Sequence, residues 1–139
     1  MGAAIGEKLR GGEVIQLISD LGGGKTALVR GLAKGLGSTD SVASPSFTIS
    51  REYKAGDKTL YHFDFYRLQD PGIMANELAE LFEDEQAVIA IEWADIVESI
   101  IPPSHVTIRI EPKAETERLI SLSCPTDLEY VVPTVMERA

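Results

Sequence analysis

The residues best able to do chemistry sit in one short run, Ser19-Asp20-Leu21-Gly22-Gly23-Gly24-Lys25-Thr26. Small residues let the backbone curl so that successive N–H groups point inward and cradle phosphate oxygens. A helix starting at the end of the run would turn its unpaired amides and positive dipole end toward the same anion. Lys25 can then reach the β and γ phosphates as a point charge, and Thr26 can place a hydroxyl on Mg²⁺. The usual phosphate-loop pattern opens with glycine where this chain has Ser19, which works if the Ser19 backbone avoids positive φ. A glycine turn that merely precedes Lys-Thr is the plain alternative. The order strand, loop, Lys-Thr, helix speaks against it.

Carboxylates come next. A phosphate-loop site uses one at the end of a neighbouring strand to hold Mg²⁺. Glu92 directly follows the apolar run Ala87-Val88-Ile89-Ala90-Ile91, at the strand end where α/β sheets gather ligands; the alternative is an ordinary strand-end carboxylate in solvent. Asp64 ends the segment Lys58–Tyr66, and either orients an attacking water or contacts Mg²⁺ through water, or else caps a helix or turn or pairs with Arg67. His62 shares the Asp64 face, but a lone strand histidine is more often structural and receives no role. Trp93, the only tryptophan, is either a core or rim residue or packs beside the nucleotide or a partner. Ser46 and Thr48 lie in a Ser-rich loop where a γ-phosphate-sensing switch would sit. Arg51 and Arg67 are the candidates for positive charge near the γ-phosphate.

The elements that must position these groups follow from periodicity. Glu13–Ile18 is a nearly continuous apolar run, as in a strand buried on both faces of a parallel sheet. From Lys25 to Leu36, Leu28, Leu32 and Leu36 recur every four residues with Val29 and Ala33 beside them, one apolar helix face closed by Gly37. Phe47–Tyr53 and Lys58–Tyr66 read as strands around Lys54-Ala55-Gly56-Asp57, the second with Tyr61, Phe63 and Phe65 on one face. Met74, Leu78 and Leu81 mark a helix, Ala87–Ile91 a second buried strand, and Val106–Glu111 with Leu119–Ser123 an antiparallel pair at the sheet edge. The fold expected is α/β: a single three-layer P-loop NTPase domain over residues 1–139, with a mixed, mostly parallel central sheet, an antiparallel edge hairpin and a C-terminal tail from residue 125.

Composition narrows the function classes. A chain of 139 residues with 44% hydrophobic content can build one core without disulfides, and Cys124 is its only cysteine. A reducing, cytoplasmic setting fits, with no apolar run long enough for a membrane span. The net charge of −9 argues against independent nucleic-acid binding, which needs clustered Lys and Arg.

Gly-Lys-Thr, Ser44-Pro45-Ser46-Phe47-Thr48, His62-Phe63-Asp64-Phe65-Tyr66-Arg67 and Ile91-Glu92-Trp93 occur in that order. With them the chain resembles the bacterial TsaE (YjeE) family, the ATPase component of tRNA N6-threonylcarbamoyladenosine biosynthesis, from about Ile5 to Ser123. The resemblance implies that Asp20, Leu21, Gly22, Gly23, Gly24, Lys25 and Thr26 bind ATP. It implies that Thr26 and Glu92 handle Mg²⁺, and that Asp64 and Trp93 matter for turnover. It implies two partners, TsaB and TsaD. TsaD modifies an adenosine of tRNAs reading codons that begin with A, and tRNA would reach this chain only through the partners. Family members usually carry a further N-terminal strand with a threonine near the adenine, ahead of a helix that Ile5–Arg10 continues. Arg118, in the late hairpin, is the candidate for approaching the base. Two other readings share the phosphate loop: a small-molecule P-loop kinase, which would need a lid and an acceptor site, and a nucleotide-dependent binding module without turnover. A GTPase would show an Asn-Lys-x-Asp run, which this sequence lacks.

Overall fold

The computed structural model describes residues 2–19, 25–40, 50–66, 70, 72–114 and 117–133. Its centre is a six-stranded sheet in the order β2-β3-β4-β1-β5-β6. The strands are β1 (Val14–Ser19), β2 (Ser50–Ala55), β3 (Lys58–Asp64), β4 (Ala87–Glu92), β5 (Val106–Ala114) and β6 (Glu117–Ser123). The four inner strands β3, β4, β1 and β5 run parallel, and an antiparallel strand closes each edge. The mixed, mostly parallel sheet expected from the sequence is present, with two antiparallel edge pairs. Every residue of β4 is buried, as an all-apolar run in mid-sheet requires.

Two helices and a short turn cover one face. Helix α2 spans Lys25–Leu36, the range the leucine spacing predicts, and buries Leu28, Val29, Leu32 and Ala33. It ends where Gly37 takes φ 111°, and the Gly37 and Ser38 N–H groups donate back to the Ala33 carbonyl. Only glycine enters that region without strain. Helix α1 is shorter and earlier than the helix expected over Ile5–Arg10: it spans Gly2–Gly6. Its Gly2 and Gly6 lie against Gly31 and Gly35 of α2, so the two backbones touch where side chains would hold them apart.

The opposite face carries α3 (Gly72–Phe82) and a 3₁₀ turn, Ala94–Val97, with Leu78, Ala94 and Val97 buried against Phe63, Phe65, Ile89 and Ile91. This second layer covers β3, β4 and the start of β1; Arg109, Glu111 and Ser121 on β5 and β6 are exposed. Among the described residues, the third layer covers only half of the sheet.

The tail expected from residue 125 includes Thr126–Val131. That segment is a 3₁₀ helix whose Leu128 and Val131 join the core with Ile5, Leu9 and α2. Glu13 anchors it. This buried carboxylate accepts the Arg10 and Gly11 N–H groups and the Tyr130 hydroxyl, each at 2.7 Å, and the Arg10 guanidinium lies 4.0 Å above the Tyr130 ring. Burial first, then the Glu13 hydrogen bond and charge, push the Tyr130 hydroxyl well above its ordinary range. No described helix is long and apolar enough to cross a membrane.

Candidate functional site

Parallel strands bring their carboxyl ends to one rim of the sheet, and β1, β3 and β4 deliver Ser19, Asp64 and Glu92 there. Glu92 stands in register with Asp64 on one side and Leu17 on the other. Ser19 is the last residue of β1, in extended backbone; Trp93 is the one non-glycine residue with positive φ among the described residues. The serine therefore fits the loop entrance without the strain a left-handed position would impose. Asp20, Leu21, Gly22, Gly23 and Gly24 lie outside the described residues, as do Ser46, Thr48 and Arg67.

Lys25 opens α2, and its side chain turns back over the strand ends. Its Nζ lies 3.1 Å from Glu92 Oε1, with 9% and 6% of the two side chains exposed. The second oxygen, Glu92 Oε2, is hydrogen-bonded to Nε2 of His62, whose side chain is wholly buried. Burial opposes ionisation of Glu92, but the hydrogen bond and charge of His62, then those of Lys25, outweigh it and hold the carboxyl below its ordinary value. The result is a buried carboxylate, ionised and gripped at both oxygens. His62 Nδ1 is buried with no hydrogen-bond partner among the described residues.

Trp93 forms the next wall. Its backbone takes φ 57°, ψ 50°, a costly region for a bulky side chain, worth about 1–3 kcal/mol, of the kind that gathers at functional sites. The turn swings the indole beside Lys25, whose Nζ lies 5.1 Å from a ring centroid, a cation–π distance. Tyr66, half exposed, packs against the indole with centroids 5.0 Å apart. A cavity of about 120 Å³ opens here, bounded by β1 and by Ser19, Lys25, Trp93, Ala94 and Asp95.

Thr26 is the second residue of α2 and half-buried. Asp64 is half-buried, and its Oδ1 accepts the Tyr66 N–H at 3.0 Å, so this carboxylate shapes the turn after β3. Arg118 is not brought into the cluster: it lies on β6 opposite Pro112, three strand spacings from β4, roughly 14 Å. The sequence reading gave His62 no role, although it heads the His62–Arg67 motif; the structure brings it against Glu92.

The donor chemistry suits the expected ligands. Thr26 and Glu92 offer hard oxygen atoms. Mg²⁺ is normally held by one or two carboxylates plus substrate phosphates, not by an all-protein cage. Among the described residues no group of three or more His, Cys, Asp or Glu forms such a cage.

Comparison with known proteins settles the lineage. The family described as threonylcarbamoyl adenosine biosynthesis protein TsaE matches residues 1–120. The chain belongs to the TsaE family. It is 40% identical over 116 residues to a Bacillus subtilis tRNA threonylcarbamoyladenosine biosynthesis protein TsaE, covering 81% of this chain and 70% of that one. The Treponema pallidum protein of the same name is 37% identical over 122 residues, covering 88% and 90%. A Nostoc relative, also so named, is 43% identical over 98 residues, 68% of this chain, which spans only 60% of the length of that relative. Among solved structures, the Bacillus subtilis YdiB crystal structure superposes with a TM-score of 0.72 at 31% identity, covering 94% of this chain and 81% of that one.

Proposed function

We propose that this chain binds ATP with Mg²⁺ and hydrolyses it as a component of the tRNA N6-threonylcarbamoyladenosine machinery, working in the cytoplasm with TsaB and TsaD. The observation that carries the reading is the buried contact between Lys25, the lysine that follows the glycine run, and Glu92, the strand-end carboxylate, at the rim where three parallel strands end. Membership of a family named for this modification supports the pathway.

In this reading Asp20, Leu21, Gly22, Gly23 and Gly24 supply backbone N–H groups, and Lys25 turns its ammonium from Glu92 to the β and γ phosphates. Thr26 and Glu92 would hold Mg²⁺, which when bound neutralises charge on the phosphate oxygens. Asp64, beside Glu92 in register, lies where a carboxylate can orient a water molecule. Trp93 walls the site. Arg118 keeps only the outer role of approaching the base from the sheet edge. No described arginine lies against Lys25 or Glu92; in this reading hydrolysis is slow alone and rises with the partner pair. Phosphate release by wild type and Asp64→Asn, each with and without TsaB–TsaD, tests this. The wild-type rate should rise with the partners, and Asp64→Asn should lose that rise by about 10²-fold or more while still binding ATP. A fast, partner-independent wild type would point to a self-sufficient enzyme instead.

A further inference from the structure

We propose that His62 is a positioning residue of this site: it holds Glu92 Oε2 so that Oε1 is the oxygen presented to the cation at the mouth, whether Lys25 or a metal ion. The inference rests on the reading of Glu92 as a nucleotide-site carboxylate.

Three observations carry it. First, the two oxygens of Glu92 are divided between two unlike donors, Lys25 on Oε1 and His62 on Oε2. The terminal torsion of a glutamate is broad and roughly two-fold, so nothing in Glu92 itself selects an oxygen. Second, the two donors differ in freedom. Lys25 carries a compact charge on a flexible four-carbon stem and can be drawn to another anion. His62 is set in mid-strand on β3, opposite Ala90, two residues from Glu92 along the same face of β4, and is wholly buried. When Lys25 turns to a phosphate, His62 is the contact that stays. Third, His62 is a poor packing residue. Its Nδ1 is buried without a partner among the described residues, and leaving a buried polar atom unsatisfied is costly. A leucine would fill the place without that penalty. The imidazole therefore has a use at its other nitrogen, and the group there among the described residues is Glu92.

The test uses the full chain with His62→Leu, which keeps bulk but removes the donor, and His62→Gln, which keeps an N–H donor. Trp93, the only tryptophan, lies against Lys25 and serves as the fluorescent reporter. With a non-hydrolysable ATP analogue present, His62→Leu should raise the Mg²⁺ midpoint by about 10-fold or more, the usual scale for losing an outer partner of a metal-site carboxylate. Analogue affinity without Mg²⁺ should be nearly unchanged, and His62→Gln should recover most of the midpoint. An unchanged midpoint in His62→Leu overturns the proposal, and so does an equal loss with and without Mg²⁺ that His62→Gln does not rescue. Nitrogen-15 spectra of the ligand-free chain supply an arm that needs no nucleotide. The His62 Nε2 should carry a proton and shift in Glu92→Gln; a bare Nε2 overturns the proposal. If wild type shows no response to analogue and Mg²⁺, the nucleotide reading fails, and the imidazole spectra still decide the His62–Glu92 pairing.

Discussion

Glu92 is a charged side chain only 6% exposed, so its two partners decide whether it stabilises the fold or strains it. Glu92→Gln keeps the shape but leaves the buried Lys25 ammonium without its counter-charge, a loss on the order of 3 kcal/mol at neutral pH. The sign of the pH dependence follows from the lowered pKa of the carboxyl. The unfolded chain binds a proton at this group more readily than the folded chain, so the stabilisation is full above the ordinary value of 4.5 and fades as pH falls through the lower folded value. Urea unfolding of wild type and Glu92→Gln should show a wide gap at pH 7 that narrows below about pH 4. A gap that is constant with pH would mean Glu92 gains nothing from Lys25 and His62. Lys25 and Glu92 were both legible in the sequence, because a glycine run followed by Lys-Thr and an apolar strand followed by Glu are local patterns. His62 was not. Its partner stands 30 residues away, and only the parallel register of β3 on β4 joins them. Along the chain it opens the His62–Arg67 run, but nothing local there points to Glu92.

Elements with a strong period were readable for the same reason. The leucines of α2 and the apolar run of β4 announce their own geometry, and the structure places both within a residue of the expected bounds. The short 3₁₀ segments Ala94–Val97 and Thr126–Val131 have too few residues to show a period, and they exist because the core accepts Ala94, Val97, Leu128 and Val131. The packing of α1 on α2 was hidden too. Gly2 and Gly6 look like a loose terminus, and Gly31 and Gly35 look like poor helix residues, until the pairs face each other. A Cβ on Gly35 would drive into the Ala3 carbonyl and lie 2.9 Å from the Glu7 nitrogen. Alanine normally favours a helix over glycine by roughly 1 kcal/mol. Gly35→Ala should reverse that sign and destabilise by about 1–3 kcal/mol, since backbone atoms cannot move aside as side chains do. Thermal or urea unfolding measures it, and a stabilised Gly35→Ala would mean α1 does not dock on α2.

At the scale of the whole molecule, the site joins parts of the chain that are far apart in sequence: β1 and α2 near its start, β3 in the middle, and β4 with Trp93 beyond. A ligand held by Lys25, Thr26 and Glu92 together exists only when these parts are assembled, so it binds the folded chain and not the unfolded one. Mass action then raises stability by about 2.7 kcal/mol when the free ligand is 100 times its dissociation constant. Unfolding entropy scales with length, and for 139 residues that gain corresponds to a rise of roughly 9 °C in melting temperature. A non-hydrolysable ATP analogue with Mg²⁺ should produce such a shift in wild type. The GTP counterpart at the same concentration should give a smaller one, since the chain lacks the Asn-Lys-x-Asp run that reads guanine. Lys25→Ala needs its own baseline, because it also strips Glu92 of a partner and lowers the starting melting temperature. Measured from that baseline the shift should nearly vanish, as losing a charge-assisted contact costs about 1.5–3 kcal/mol of affinity. A full shift in Lys25→Ala would place the nucleotide away from the rim of β1 and β4. An equal shift with the GTP analogue would remove the preference for adenine while leaving the phosphate site in place.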